Sequence, residues 1–121
     1  MLKIIIMSIL FSGICQANGL ESSTIRKHLA AKMPMMKKCY KDELDKTNRK
    51  FKFNSVLNFN INNSGRVEDI NIDIKDNADN KYVQATSACL KLALEETIFP
   101  KFKGKGKVKV NQTMRFETML R

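Results

Sequence analysis

Apolar residues in the first third of the chain recur in steps of three and four, which is the spacing of one face of an α-helix. Polar residues, many of them lysines, fill most of the intervening positions, so the pattern predicts an amphipathic helix from about residue 23 to residue 46. Pro34 falls inside this helix and is expected to kink it or split it into two. The predicted apolar face comprises Ile25, Leu29, Met33, Met36, Tyr40 and Leu44.

Two segments in which apolar and polar residues mostly alternate follow the helix. Residues 51–62 alternate phenylalanine, leucine and isoleucine with lysine and asparagine, and residues 70–74 alternate isoleucine with asparagine and aspartate. This period of two predicts strands with one buried and one wet face. A turn at 62–65, ending in Gly65, joins them into an antiparallel hairpin. Val67 breaks the phase of the second strand, which predicts a bulge or a late strand start.

A second helix and a third strand complete the pattern. A polar break at 76–81 precedes a second amphipathic segment, which Pro100 ends. Residues 101–107 contain two glycines and four lysines and predict an exposed basic loop. Alternation resumes at Val108 and predicts a strand to about residue 118.

The order helix, strand, strand, helix, strand predicts an α+β fold of α-β-β-α-β type. Both helices are amphipathic and all three strands are one-sided, so we expect two layers: a three-stranded antiparallel sheet covered on one face by two helices. The connection through the second helix can skip a neighbour and place the third strand beside the first, which gives the order 2-1-3. The second and third strands would then be the edges.

Residues 1–17 are interpreted as a signal peptide outside this fold. Lys3 precedes a nearly unbroken apolar run that is too short for a bilayer span of ~20 residues, and small residues precede a cleavage site after Ala17. The alternatives are a buried N-terminal helix or a lipid anchor on Cys15, but Ile14 stands where a lipoprotein needs a small residue. The remaining chain divides into a polar lead-in (18–22), one domain (23–118) and a tail (119–121).

Composition narrows the range of functions. The 121 residues carry 22 Lys+Arg against 12 Asp+Glu, a formal charge of +10, while 43% hydrophobic content indicates a folded protein. His28 is the only histidine, which excludes a metal site built on several histidines. No nucleophile and oriented base can be nominated, so neither an enzyme nor a cofactor or metal is expected. The aspartates between Asp69 and Asp79 lack a calcium-loop pattern and are expected to be surface residues.

Cys39 and Cys89 would be the two cysteines left after cleavage, and an even count in an exported protein favours a disulfide. Each lies beside the apolar face of one predicted helix, so a bridge between the helices is geometrically reasonable. A structural bridge is favoured over a redox-active pair because neither cysteine belongs to a C-x-x-C motif.

Taken in order, these elements resemble the TonB C-terminal-domain-like superfamily, AgmX/PglI C-terminal type, over residues 23–118. The resemblance rests on Ile25–Leu29, Cys39-Tyr40, Glu43-Leu44, Ser64–Val67, Cys89 and Ile98–Pro100. The family's usual tryptophan is absent, and Thr97 stands two residues before Phe99. The resemblance implies a non-catalytic, periplasmic binding domain of a Gram-negative cell envelope. It also implies that Cys39 and Cys89 are the family's paired cysteines.

Two surfaces are candidates for binding. The third strand, as a sheet edge, could accept an extended peptide from a protein partner in the cell envelope, through the segment that includes Val108, Lys109, Val110, Asn111, Thr113 and Arg115. TonB-type domains recognise peptides in this way, so the resemblance implies the same mode. The alternative is a cationic envelope-binding protein that contacts anionic lipid or glycan through Lys101, Lys103, Lys105 and Lys107. Nucleic acid is not expected as a partner, and the sequence leaves the oligomeric state open.

Overall fold

The computed structural model describes residues 3–10, 20–104 and 106–120. Two helices and four strands occur in these ranges. In chain order they are β1 (Lys3–Leu10), α1 (Ser22–Lys46), β2 (Phe53–Ile61), β3 (Val67–Ile74), α2 (Lys81–Glu95) and β4 (Val108–Leu120).

The sheet is antiparallel, with the strand order β1-β4-β2-β3. The three strands predicted from alternation are β2, β3 and β4, and their predicted order 2-1-3 is confirmed. The sheet also has a fourth strand, β1, which lies in the segment interpreted as a signal peptide and pairs with β4. In the full chain, β4 therefore lies between two strands along part of its length instead of forming an edge throughout. The run from Lys3 to Leu10 can pair in this way because four isoleucines favour extended backbone.

One face of the sheet is buried. Every second residue of β2 is buried, and the same holds for β4 from Val108 to Phe116. The apolar residues of α1 and α2 belong to the same core. Tyr40 of α1 lies at its centre, fully buried, with ring centroids 5.1 Å from Phe51 and 5.4 Å from Phe116. Its hydroxyl donates a hydrogen bond to the carbonyl oxygen of Phe51, so the helix is fixed to the entry of β2.

Both helices follow the predicted pattern, with one difference. α1 runs through Pro34 as one continuous helix and is not split. Proline cannot bond the carbonyl of Ala30, but both residues are exposed, so water can satisfy that oxygen. α2 begins at the polar break, where the Asn80 side-chain oxygen accepts hydrogen bonds from the amides of Tyr82 and Val83.

The predicted phase break in the hairpin is a bulge. The register between β2 and β3 shifts between Asn58 and Asn60, and Asp69 has φ +53°. Asp69 accepts a hydrogen bond from the Asn60 amide at 2.9 Å, which holds the bulge across the pair of strands. The bulge changes the direction of the backbone at the start of β3, so the side chains of Glu68 and Asp69 can contact the basic loop.

The predicted disulfide is present. Cys39 of α1 and Cys89 of α2 are bonded, with their Cα atoms 5.7 Å apart. The bridge joins the two helices of the covering layer across a sequence separation of 50 residues. Neither helix in the described part of the chain combines the length and the apolar character that a membrane span requires.

Candidate functional site

The backbone of β4 presents alternate residues to its two sides, and the hydrogen bonds of β2 show which residues face which side. The carbonyl of Asn54 accepts from the amide of Lys75, so the peptide groups of Asn54 point toward β3. Those of the next residue, Ser55, must point toward β4, because peptide groups alternate along a strand. Ser55 lies opposite Met114, whose carbonyl also accepts from the Ser55 hydroxyl at 3.3 Å.

It follows that the even-numbered residues of β4, from Val108 to Phe116, direct their amides and carbonyls toward β2. The odd-numbered residues direct theirs toward the opposite side, which we call the outer edge of β4. Their side chains lie on the open face of the sheet: Lys109, Asn111 and Arg115 are exposed and Thr113 is half-buried.

This geometry divides the six predicted partner-binding residues into two groups. Lys109, Asn111, Thr113 and Arg115 remain candidates for contact with an added strand. Val108 and Val110 do not, because their side chains are buried in the core and their backbone groups face β2. The sequence could not separate the groups, since alternation identifies the two faces of a strand but not which neighbour each amide bonds.

The outer edge of β4 is occupied from Thr113 to Leu120. β1 lies along it in antiparallel register, with Leu10 opposite Thr113, Ser8 opposite Arg115 and Lys3 opposite Leu120. No strand among the described residues pairs with the outer edge between Val108 and Gln112. The edge thus accepts an extended, mostly apolar segment over eight residues.

Carboxylates at the bulge partly neutralise the positive charge of the predicted basic loop. Lys107 contacts the carboxylates of Glu68 at 2.6 Å and Asp69 at 3.2 Å. The hydrogen bond with Glu68, followed by that with Asp69, raises the pKa of Lys107. The contact with Lys107 is also the largest cause of the lowered pKa of Glu68, whereas the pKa of Asp69 is lowered first by the hydrogen bond from Asn60 and then by that from Lys107. Lys101 and Lys103 are exposed, and Lys105 lies outside the described residues.

His28 contacts neighbouring residues through its ring nitrogen and its ring face. Its Nδ1 lies 2.9 Å from the carbonyl oxygen of Thr24, and its ring lies 5.4 Å from that of Phe99. These contacts give the residue a packing role at the boundary of the core. Within the described residues, no group of three or more His, Cys, Asp or Glu side chains is arranged to hold a metal ion.

A further basic site was not predicted from the sequence. The connection from α1 to β2 contributes Arg49 and Lys50, and the first residue of α2 is Lys81. These three residues line a pocket of about 320 Å³, which we call the basic pocket. Its cations come from two distant segments, so only the fold brings them together.

The chain was compared with known proteins at three levels: family models, curated proteins and solved structures. None of the three comparisons gives a match. The resemblance to the TonB C-terminal-domain-like superfamily therefore stays a prediction, resting on the order and spacing of short motifs such as Ser64–Val67 and Ile98–Pro100.

Proposed function

We propose that this protein is a periplasmic, non-catalytic interaction module of the TonB C-terminal-like, AgmX/PglI type. In this proposal it binds an extended peptide of a cell-envelope partner by strand addition at the outer edge of β4. The affinity would come from backbone hydrogen bonds along the edge, and the specificity from alternate side chains of the bound strand.

The pairing of β1 with β4 is the observation that supports the proposal most directly. An edge that pairs with eight consecutive residues of Lys3–Leu10 in regular antiparallel register has the twist and the free backbone groups that strand addition requires. The paired segment is KIIIMSIL, whose composition is typical of a strand and not of a specific recognition motif. The edge itself, and not a particular side-chain match, would therefore provide most of the affinity.

Removal of residues 1–17 would connect this pairing with function. Signal-peptide cleavage after Ala17 would separate β1 from the domain and leave the amides and carbonyls of the odd-numbered residues of β4 without a strand opposite them. An exposed edge of this kind is a template for another chain. The exposed cations Lys109 and Arg115 flank it on the open face and would favour partners with acidic residues.

The other sheet edge is a weaker candidate. β3 has its bulge at Asp69, which interrupts regular pairing near one end of the strand. Its open face carries Asp69, Asn71 and Asp73, whose character differs from that of the cationic outer edge of β4. A test of strand addition can therefore use β3 as an internal comparison.

A synthetic peptide with the sequence of Lys3–Leu10 and added terminal lysines for solubility is the probe for this test. We expect it to bind the secreted form that begins at Asn18, as measured by fluorescence anisotropy. Arg115→Pro should abolish binding because the proline removes an outward amide, whereas Arg115→Ala should retain it. Ile72→Pro, which alters the β3 edge, should bind like the unmodified protein.

Equal affinity of the Arg115→Pro and Arg115→Ala variants would reject strand addition at β4. Mass measurement of the exported protein tests the other half of the proposal, since a mature form that still contains residues 3–10 would keep the edge occupied. Amide shifts confined to β4 would support the proposal further.

The alternative function, binding of anionic lipid or glycan by the basic loop, is favoured by Lys101 and Lys103. Both are exposed, and neither forms an ion pair within the described part of the chain. Binding that falls steeply with salt and disappears in a Lys101→Ala/Lys103→Ala variant would favour this alternative. Strand addition should persist in that variant.

A further inference from the structure

The basic pocket lies where the end of α1, the entry of β2 and the start of α2 meet. Phe51 and Tyr82 form its aromatic side, with ring centroids 6.1 Å apart and the rings 25° from parallel. Phe51 also makes an edge-to-face ring contact with Tyr40, so this wall of the pocket is part of the packed core. A pocket of about 320 Å³ is at the lower end of the range for small-ligand sites.

All charged side chains among the residues that line the basic pocket are cationic. Arg49, Lys50 and Lys81 are all exposed at its rim, and none of the described residues that line it carries a carboxylate. None of the three forms an ion pair within the described residues, in contrast to Lys46, which lies 2.9 Å from Glu43. Three cations around one cavity repel one another, and no acidic group in the pocket offsets that repulsion.

Lys81 is at an unfavourable position for a cation. It is the first residue of α2, where the helix dipole favours an acidic side chain, and the first turn of α2 contains no acidic residue. Its ammonium lies 5.1 Å from the centroid of the Tyr82 ring, which directs it along the aromatic wall. Local rules of stability are commonly broken at functional or strained sites.

We propose that the basic pocket binds a phosphate group. Arg49 would supply the paired donors that suit phosphate oxygens, and Lys50 and Lys81 would add point charges. The side chains must hold the group, because the Tyr82 and Val83 amides already donate to Asn80 and the Gln84 amide donates to the Asn80 carbonyl. The aromatic wall leaves room for the organic part of a phosphate ester.

This site is independent of strand addition. The outer edge of β4 binds through backbone groups, whereas the basic pocket binds through side chains of other elements. A soluble phosphate ester and a phospholipid headgroup share the chemistry that the pocket recognises, so the two sources are separated by experiment.

The test is a titration of the disulfide-bonded full-length protein with inorganic phosphate and with glycerol 3-phosphate, at constant ionic strength, followed by amide NMR. We expect saturable shifts of Lys50, Phe51, Lys81 and Tyr82. An Arg49→Ala/Lys50→Ala/Lys81→Ala variant should bind at least about tenfold more weakly. A Lys27→Ala/Lys37→Ala/Lys41→Ala variant loses the same charge at exposed positions of α1 and should bind normally.

Binding to vesicles of neutral lipid, with and without phosphatidic acid, shows whether the phosphate group belongs to a soluble ester or to a phospholipid headgroup. Binding of the soluble ester indicates a free ligand, and binding of the vesicles alone, lost in the pocket variant, indicates a headgroup. The proposal is overturned if neither probe binds, or if the control variant loses as much affinity as the pocket variant. Should the triple variant misfold, the single substitution Lys81→Gln gives the same comparison.

Discussion

The amide of Phe99 donates a hydrogen bond to the carbonyl oxygen of Gly65 at 2.8 Å. This bond ties the segment that follows α2 to the turn between β2 and β3. Arg66 and Ile98 form an isolated antiparallel bridge beside it, and the amide of Phe102 donates to Asn63 at 3.1 Å. The hairpin turn and the start of the basic loop are therefore held as one unit.

Gly65 is expected to tolerate no side chain. It has φ +84°, and a Cβ atom would overlap the carbonyl oxygen of Phe99. Gly65→Ala should lower the free energy of unfolding by roughly 2–4 kcal/mol, because left-handed strain adds to the displacement of packed backbone. Urea unfolding measures the loss.

Gly106→Ala is the matched control for the Gly65 prediction. Gly106 has φ +106°, but nothing lies within 4 Å of the position of an added Cβ. Its substitution should lower the free energy of unfolding only by the backbone strain, about 1–2 kcal/mol. Equal losses at both glycines would mean that the contact with Phe99 is unimportant.

Alternation was sufficient to predict β2, β3 and β4, because a sheet with one buried face needs apolar residues at every second position. The rule fails at Ser55 and Gln112, which are polar and buried. Each donates a side-chain hydrogen bond to a nearby carbonyl: Ser55 to Met114, and the Gln112 amide to Thr113 at 2.8 Å. Composition alone does not reveal such internal bonding.

Features that depend on tertiary placement were not predicted. The run from Lys3 to Leu10 has no period of two, so nothing in the sequence indicated that it would pair with β4. The basic pocket unites Lys50 with Lys81, and the bulge brings Lys107 to Glu68, each across a long stretch of chain. Local patterns identify elements, whereas these contacts depend on where the sheet places them.

Loss of the disulfide should destabilise the domain substantially. Replacing both cysteines with serine removes a constraint on a loop of 50 residues, and chain entropy gives a loss of about 4 kcal/mol. Urea unfolding of the double variant, compared with the oxidised protein, measures the change. If the double variant were as stable as the parent, the helix layer would not depend on the bridge.

Tyr40 is expected to limit stability at alkaline pH. Burial raises its pKa well above the ordinary value of 10.0, and the charge of Glu117 raises it further. The neutral phenol is therefore favoured in the folded state, and its contribution to stability is complete below pH 10 and is lost as the pH rises above it. In a Tyr82→Phe variant Tyr40 is the only tyrosine, so phenolate absorbance should appear only when the protein unfolds.

The cluster of Lys107, Glu68 and Asp69 should stabilise the folded state at neutral pH, and this stabilisation should weaken in acid. In the folded state, hydrogen bonds from Lys107 and then Asn62 lower the pKa of Glu68, and hydrogen bonds from Asn60 and then Lys107 lower that of Asp69. Their contribution is present above their ordinary pKa values and is lost as the pH falls below them. In Lys107→Met, carbon NMR titration should show the pKa of Glu68 rising toward its ordinary value. An unchanged pKa would mean that Lys107 does not contact Glu68 in solution.

Because the backbone groups of Val110 and Asn111 point to opposite sides of β4, proline substitutions at these adjacent residues should differ in their effect on stability. Val110 directs its amide toward β2, so Val110→Pro removes a ladder hydrogen bond, disturbs the core and should cost roughly 3 kcal/mol or more. Asn111 directs its amide toward the outer edge, where no described strand lies opposite it, and Asn111→Pro should cost about 1 kcal/mol or less. Urea unfolding of the two variants compares them directly. The reverse order of stability would show that the outward set of residues is the even-numbered one, and strand addition would then have to use Val108, Val110 and Gln112.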